Sequence, residues 1–445
     1  MELTKELLKQ YDENFDKNGK NLIAMNAASS CGVDKAAQNY SVTRNIPHEF
    51  SVSISKFGTT NQKNSGRCWL FAATNCLRYQ LMKKYNIEEF ELSQNFLLFY
   101  DKLEKANYFL ESMIELADEP VTGRTVSFLL KEPEGDGGQW DMFCNIVRKY
   151  GIVPKAAMPE TACSSKTSEM GDYLTEKLRQ CACTLRNAHN AGKSAAELEK
   201  MKESMMEDVY RLLCICLGKP PLKFDFEVRT KDDKYITDYG ITPKEFYDKH
   251  IGIDLDDYVS LINATTDDKP FNKSYTVKYL GNVKEGHIIR YLNLDIEELK
   301  KAAIAQMKDG EPVWFGCDVG QRELRDFGIL DLDTFDIEEL FSMDFDMTKA
   351  QRLDYGESQM SHAMVLQGVN ILPDGTPNRW RVENSWGDDV GKKGYFVMGD
   401  KWFSQYVYQV VVNKKYLTAT QLAQYESEPK VLEPWDPMGS LAMTK

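Results

Sequence analysis

The chain has 445 residues, 42% hydrophobic and 28% charged, a composition typical of globular proteins rather than disordered or fibrous ones. A net charge of −13 argues against a nucleic-acid-binding surface, since phosphate binding depends largely on clustered lysine and arginine. The sequence shows no signal-like apolar segment and no run long enough to span a bilayer, so we expect a cytoplasmic protein whose ten cysteines are reduced thiols.

The first 60 residues are predicted to form an N-terminal arm. Residues 4–14 have the pattern of a short helix, an irregular stretch follows, and residues 50–54 are predicted to form a strand. Beyond the arm, an apolar helix is expected to run to about Tyr85, and Ser93 is the predicted N-cap of a second helix over residues 93–103.

A single cysteine stands where the first of these helices begins. Ser65-Gly66 supplies a turn, and the apolar residues that follow Cys68 recur at helical spacing. In the first turn of a helix, the unpaired backbone N–H groups and the helix dipole favour an anion, so we expect a lowered thiol pKa and a nucleophilic Cys68. Position alone also allows a buried, inert cysteine, which is the commoner case.

A glycine-rich segment precedes the predicted helix over residues 140–150. Because glycine lets a backbone approach another chain closely, Gly137 and Gly138 are candidates for holding an extended peptide through their main-chain groups. From the sequence alone, a simple loop before the helix is the favoured interpretation.

Residues 165–217 are almost purely helical in pattern and carry two pairs of cysteines, Cys181 with Cys183 and Cys214 with Cys216. Zinc ligands usually come as Cys-x-x-Cys on loops, whereas these pairs are separated by one residue and lie in helices. We therefore predict neither a metal site nor a cofactor.

Later elements alternate between strands and helices. Thr242 and Pro243 form a strong helix-start signal, a helix is predicted over residues 295–307, and a buried strand over 312–318. Residues 318–357 are rich in Asp and Glu, and a solvated loop is favoured there over a role in binding a substrate's ammonium group.

A nucleophilic cysteine that attacks an amide needs an imidazole and a group that orients the imidazole ring. Of the five histidines, only His362 stands at the start of a predicted buried strand. The next strand ends at Asn384, so two consecutive strands would present His362 and Asn384 side by side. The nucleophile and these partners would then meet across two subdomains.

In this order the motifs resemble the papain-type cysteine peptidases. The long central insertion and the tail from Glu433 to Ala442 narrow the resemblance to the bleomycin hydrolase and aminopeptidase C family, and it covers nearly the whole chain. The matching residues are Gln62, Cys68-Trp69, His362, Asn384-Ser385-Trp386-Gly387, Gly391 and Gly394-Tyr395-Phe396.

The resemblance implies an α+β, papain-like fold of two subdomains, a helical left part and a β-rich right part, with a helical insertion. Five segments are expected: an N-terminal arm (1–60), a part carrying the cysteine helix (61–164), the insertion (165–270), a β-rich part carrying His and Asn (271–412) and a C-terminal arm (413–445).

Each site residue receives an expected role. Cys68 is the nucleophile, His362 the acid and base, and Asn384 orients its ring. The side-chain amide of Gln62 and the backbone N–H of Cys68 would bind the oxyanion. The substrate-binding residues are expected to be Gly137 and Gly138, which would hold the peptide backbone, Trp386, which would shield the His362–Asn384 bond, and Ala442 in the arm.

In the family that it resembles, the C-terminal arm lies in the cleft, and its terminal carboxylate binds the free α-amine of a peptide. The resemblance therefore implies an aminopeptidase, and also a homohexamer whose sites face an internal cavity. Composition alone leaves the tail equally open to disorder, although Trp435 would be wasted in solvent. Here Met443-Thr444-Lys445 follow Ala442, and we hypothesise that they are trimmed.

Two alternatives stay open at this point. An endopeptidase of the same fold requires an unobstructed cleft. An inactive or nucleic-acid-binding relative is disfavoured by the complete set of Gln62, Cys68, His362 and Asn384, and by the net charge of −13.

Overall fold

The structure, a computed structural model, describes residues 1–44, 46–54 and 57–443. Its α-helices are α1 (Lys5–Asp16), α2 (Gly19–Cys31), α3 (Val33–Ala37), α4 (Tyr40–Thr43), α5 (Cys68–Tyr85), α6 (Gln94–Glu115), α7 (Arg124–Lys131), α8 (Trp140–Tyr150), α9 (Ala162–Ser165), α10 (Ser168–Asn190), α11 (Ala195–Leu217), α12 (Pro243–Phe246), α13 (Ile296–Lys308), α14 (Ile337–Phe341), α15 (Lys349–Asp354), α16 (Asp400–Tyr406) and α17 (Ala419–Glu426).

The strands lie mostly in the second half of the chain. They are β1 (Val52–Ser53), β2 (Phe224–Arg229), β3 (Tyr235–Ile241), β4 (Tyr258–Ile262), β5 (Lys273–Val277), β6 (Tyr291–Asn293), β7 (Val313–Cys317), β8 (Glu323–Leu324), β9 (Ile329–Leu330), β10 (His362–Ile371), β11 (Pro377–Glu383), β12 (Tyr395–Gly399), β13 (Val407–Asn413) and β14 (Lys430–Leu432). Most of the long helices come before most of the strands along the chain, and this segregation confirms the predicted α+β class.

The N-terminal arm is more helical than expected. Thr4 caps α1 by accepting a hydrogen bond from the Leu7 backbone, and the stretch predicted to be irregular forms α2. Neither helix contains a buried residue, and apolar side chains such as Leu8, Tyr11 and Ile23 are exposed.

The helical part is organised around α5, which is buried along most of its length and packs against α6, α8 and β10. Ser93 caps α6 as predicted, because its side-chain oxygen accepts from the backbone N–H of Phe96 at 3.0 Å. Helices α10 and α11 pack on each other and on α6. Helix α6 therefore lies between the cysteine helix and the insertion.

The main sheet has the order β14-β5-β6-β4-β13-β7-β10-β11-β12-β9-β8, and β1 pairs with β10. Strands β2 and β3 form a separate hairpin. Along β10, Ala363 and Val365 pack into the core with the helical part, whereas Met364 and Leu366 pack into a second core with α13 and α16. The sheet thus has a core on each face.

Buried polar links join the cysteine helix to the sheet. On β7, the indole of Trp314 donates to the carbonyl of Trp69 at 3.2 Å. Deeper in the interface, Arg78 of α5 forms an ion pair with Glu383 of β11, with 2.7 Å between nitrogen and oxygen. Because Glu383 precedes Asn384, this pair fixes the cysteine helix relative to the strand that carries the asparagine.

Candidate active site

Cys68 is the first residue of α5, and its side chain is buried beneath the start of β10. Burial raises the pKa of its thiol to about 11, against the lowering effect of backbone hydrogen bonds from Ala363 and Trp69. The lowered pKa expected from the helix start is therefore wrong for this covered site, because loss of hydration outweighs the helix N-terminus. The bond from Ala363 brings the thiol next to His362.

His362 and Asn384 are adjacent, as the two-strand pattern predicts. His362 opens β10 opposite Cys317 of β7, and its Nε2 is 2.9 Å from Asn384 Oδ1. Since an amide oxygen only accepts, Nε2 carries the proton and donates it, which leaves Nδ1 as the acceptor nitrogen of the ring. The same Oδ1 accepts from the backbone of Ser385 at 2.8 Å, so the asparagine is fixed as well.

Trp386 covers this pair of side chains. Its ring lies 4.9 Å from the imidazole of His362, and the guanidinium of Arg325 lies 4.1 Å from the Trp386 ring on the exposed side. Burial lowers the pKa of His362 to about 4, the hydrogen bond to Asn384 opposes this, and the charge of Arg325 adds to it. Burial therefore acts in favour of the neutral form of both the thiol and the imidazole.

Gln62 is held beside the same strands by three hydrogen bonds. Its backbone N–H donates to the Ser385 carbonyl at 2.8 Å, and its Oε1 accepts from Ser385 Oγ at 2.7 Å. Its Nε2 donates to the Ser65 carbonyl at 2.6 Å, which uses one of two amide hydrogens. The second hydrogen, with the backbone N–H of Cys68, can bind a developing oxyanion.

The glycine-rich segment forms a narrow wall of the site. A side chain at Gly137 would collide with the carbonyl of Leu441, and one at Gly138 would come within 2.5 Å of the Trp69 ring. Lys105 donates to the carbonyls of Gly135 and Gly137 at 2.7 and 2.6 Å. Glycine is thus required because the C-terminal arm and Trp69 occupy the space on either side.

A buried cluster of charges supports this wall, and the sequence reasoning missed it. Lys102 binds both Glu134 and Asp136, and Lys105 binds Asp101 at 2.7 Å. Burial raises the pKa of Glu134 to about 7. Burial also acts to raise the pKa of Asp136, but the Lys102 ammonium holds that pKa below its ordinary value. The available signal was three charged residues, 101, 102 and 105, inside an apolar helix.

Asp136 connects this cluster to the turn before Cys68. Its Oδ2 accepts from the backbone of Gly66 at 2.9 Å, and its carbonyl accepts from the indole of Trp69 at 2.7 Å. On the other side of the turn, Arg67 makes a bidentate pair with Glu160, at 3.0 and 2.8 Å. The turn that presents Gln62 and Cys68 is therefore braced by two carboxylates.

The last described residues of the C-terminal arm lie against the glycine wall. Residues Pro437–Ala442 of the arm form a 3-10 helix that Asp436 caps. Ser440 donates to the carbonyl of Met360 at 2.8 Å, and Leu441 and Ala442 are buried. The arm thus lies between the glycine wall and the approach to His362. Thr444 and Lys445 lie outside the described residues.

The cysteines that were weighed as metal ligands are not equivalent. Cys181 is buried and Cys183 is exposed, because neighbouring positions of α10 face different sides of the helix. All ten cysteines are free thiols.

Comparisons with known proteins agree with the motifs. The Peptidase C1-like family matches residues 2–439. Aminopeptidase C of Listeria monocytogenes is 48% identical over 442 residues, 99% of each chain, and bleomycin hydrolase of Homo sapiens is 46% identical over 404 residues, 89% of each chain. The crystal structure of PepW from Lactobacillus rhamnosis HN001 matches with a TM-score of 0.97 at 48% identity, over 99% of each chain.

These matches confirm both the papain-like α+β fold and the resemblance drawn from the motifs. The chain belongs to the Peptidase C1-like family and is a papain-like cysteine peptidase of the aminopeptidase C and bleomycin hydrolase group.

Proposed function

We propose that this protein is a cysteine aminopeptidase that removes N-terminal residues from peptides, with the C-terminal arm limiting how far a peptide enters the cleft. The observation that carries the proposal is the position of Leu441 and Ala442 against Gly137, with Ser440 bonded to Met360, two residues before His362. A peptide bound along the same glycine wall would meet the arm just beyond its first residue. The names of the relatives, aminopeptidase C and bleomycin hydrolase, agree with this function.

In the proposed reaction, Cys68 transfers its proton to Nδ1 of His362 as the sulfur attacks the carbonyl carbon of the first residue. The charge on the carbonyl oxygen is then bound by the Gln62 amide and the Cys68 backbone N–H. When this intermediate collapses, the imidazolium gives its proton to the leaving amine. Water activated by His362 hydrolyses the thioester and restores the thiol.

The pKa values of the covered site bear on the first step. Burial raises the pKa of the Cys68 thiol and lowers that of the His362 imidazole, so loss of hydration opposes the charged pair, and the thiolate forms by proton transfer to His362. Asn384 stabilises the imidazolium, since its Oδ1 accepts from Nε2, and this bond leaves Nδ1 as the nitrogen that takes the thiol proton.

Substrate recognition is assigned to four residues. Gly137 and Gly138 would bind the peptide backbone, Trp386 would shield the His362–Asn384 bond, and Ala442 would lie closest to the free α-amine. If Met443 and the two residues after it are trimmed, the new carboxylate at Ala442 would form an ion pair with that α-amine.

The decisive experiment compares an aminoacyl arylamide with its N-acetylated counterpart. We expect hydrolysis of the free-amine substrate alone, because acetylation removes the charge and places an acetyl group where the arm lies. Equal cleavage of both substrates would exclude the gating arm and favour the endopeptidase alternative. Any turnover that depends on Cys68 excludes the inactive alternative, and a gel shift with single-stranded DNA at moderate salt tests the nucleic-acid-binding one.

Arg325→Gln tests the electrostatics of the site. Removing this charge relieves its repulsion of the imidazolium, so the pKa of His362 rises and the acid limb of kcat/KM moves to higher pH by about half a unit. Arg322→Gln is the matched control, because Arg322 is paired with Glu338 at 2.8 Å. If the acid limb of kcat/KM in Arg325→Gln stays at the same pH or moves to lower pH, the assigned role of His362 is contradicted.

The assembly and its setting are further parts of the proposal. Helices α1 and α2 expose apolar side chains and bury none, which supports their use in contacts between subunits of a homohexamer. Within the described residues, no helix has the length and apolar character needed to cross a membrane. We propose a cytoplasmic enzyme without a cofactor or a nucleic-acid partner, divided at residues 60, 164, 270 and 412 as its motifs suggest.

A further inference from the structure

Residues of helix α7 contact the C-terminal arm at Trp435, several residues before the arm reaches the glycine wall. The indole of Trp435 lies between the guanidinium of Arg124, 3.7 Å from the ring centre, and the ring of Phe128, which meets it edge to face at 6.1 Å. Arg124 and Phe128 are four residues apart on α7, so they lie on the same face of that helix. We call these three residues the Trp435 clasp.

The clasp and the glycine wall belong to one stretch of chain. Helix α7 ends at Lys131, and the backbone continues into Gly135 and Gly137. A side chain at Gly135 would come within 3.0 Å of the Ala442 carbonyl, and one at Gly137 would collide with Leu441. One segment therefore contacts the arm at two points, at Trp435 and at its end.

Both partners of this contact are themselves fixed. Arg179 of α10 donates to the carbonyls of Leu130 and Lys131 at 2.9 and 2.8 Å, so the insertion braces the C-terminal end of α7. On the arm, Asp436 forms an ion pair with Lys269 at 2.8 Å and accepts from the backbone of Met438 at 2.9 Å. The chain thus turns from the clasp directly into the 3-10 helix that enters the cleft.

We propose that the Trp435 clasp is the positioning site that sets how far the end of the arm reaches along the glycine wall. Between β14 and the 3-10 helix, the arm has no strand pairing to hold its register, so side-chain anchors must do so. A shift at Trp435 moves Ala442 relative to Gly137, and with it the point at which a bound peptide is stopped. This inference rests on the proposed gating function of the arm.

The first test needs no peptidase activity. Hydrogen exchange is measured over residues 437–442 in the full-length chain and in Trp435→Ala, with Arg124→Gln as a second variant that removes only the cation. We expect exchange to be faster by about tenfold in Trp435→Ala and by a smaller factor in Arg124→Gln. Trp435→Phe keeps an aromatic ring in the clasp and is expected to restore the slow exchange.

Val431→Ala is the matched control, since Val431 is exposed on the same arm within β14. Its exchange over residues 437–442 is expected to stay within about twofold of the unsubstituted chain. Exchange in Trp435→Ala that equals this control would overturn the clasp, whatever the enzyme does with its substrates.

The second measurement is the ratio of kcat/KM for the N-acetylated and the free-amine arylamide. We expect this ratio to rise by about tenfold in Trp435→Ala, mainly through a higher KM for the free-amine substrate, while Val431→Ala leaves it unchanged. Faster exchange with an unchanged ratio would show that the clasp holds the arm but that the arm does not select the bond, which overturns the gating function and not the clasp.

Discussion

Cys68→Ala is expected to lower kcat/KM on aminoacyl arylamides by at least about ten-thousand-fold, because no other group can form the acyl intermediate. The substitution removes a single sulfur from a buried position at the start of α5, and the apolar packing of that helix continues on the residues that follow. The fold should therefore survive, and a thermal unfolding curve close to that of the unsubstituted chain would show that the loss is chemical.

Cys76→Ala provides the matched control for this experiment. Cys76 lies on the same helix, is partly buried and packs against the same core, so the same atoms are removed from a comparable environment. We expect its activity to stay within about threefold of the unsubstituted enzyme. Comparable activity in Cys68→Ala and Cys76→Ala would mean that Cys68 is a structural thiol and that the mechanism is wrong.

Gln62→Glu is expected to reduce kcat by about a hundred- to a thousand-fold with little change in KM. The substitution preserves the size of the side chain and an acceptor for Ser385 Oγ, but it replaces the amide donor by a carboxylate. A carboxylate repels the developing oxyanion, so the cost falls on the transition state rather than on the bound substrate.

Gln62 also has structural contacts, including the bond that its Oε1 accepts from Ser385 Oγ, so a separate variant is needed. Ser385→Ala removes the hydroxyl that steadies Oε1 while leaving the amide donor in place. We expect it to cost less than about tenfold in kcat. If Ser385→Ala proves as damaging as Gln62→Glu, the role of Gln62 is to hold the loop and not to bind the oxyanion.

Helix starts were the features best predicted from sequence, because their signal is local. Ser93 caps α6 by accepting from a backbone N–H, and Thr242 with Glu245 forms a capping box at the start of α12. Lengths were less predictable. Helix α12 ends at Phe246, after which the chain forms a turn of π-helix. Helix α2 was not predicted because its apolar residues are spread around the helix, form no stripe and are not buried.

In the candidate site, too, features with a local sequence signal were predicted, and features that depend on distant contacts were not. The positions of His362 and Asn384 followed from two strand patterns, and the structure places their side chains 2.9 Å apart. The pKa of Cys68 could not be predicted from its place in a helix, because it depends on how completely the surrounding elements exclude water. The path of the arm was also hidden, since it rests on contacts with α7 and with Lys269, far away in the sequence.

The arm belongs to the same chain as the cleft that it enters, and this has a consequence for the strength of its contacts. A segment anchored through β14 is present at an effective concentration in the millimolar range, on the order expected for a short tether. Its occupancy does not change on dilution, so individually weak contacts suffice to keep it bound. A free peptide or inhibitor that needs the same space must compete against this tethered ligand, and its apparent affinity is lowered accordingly.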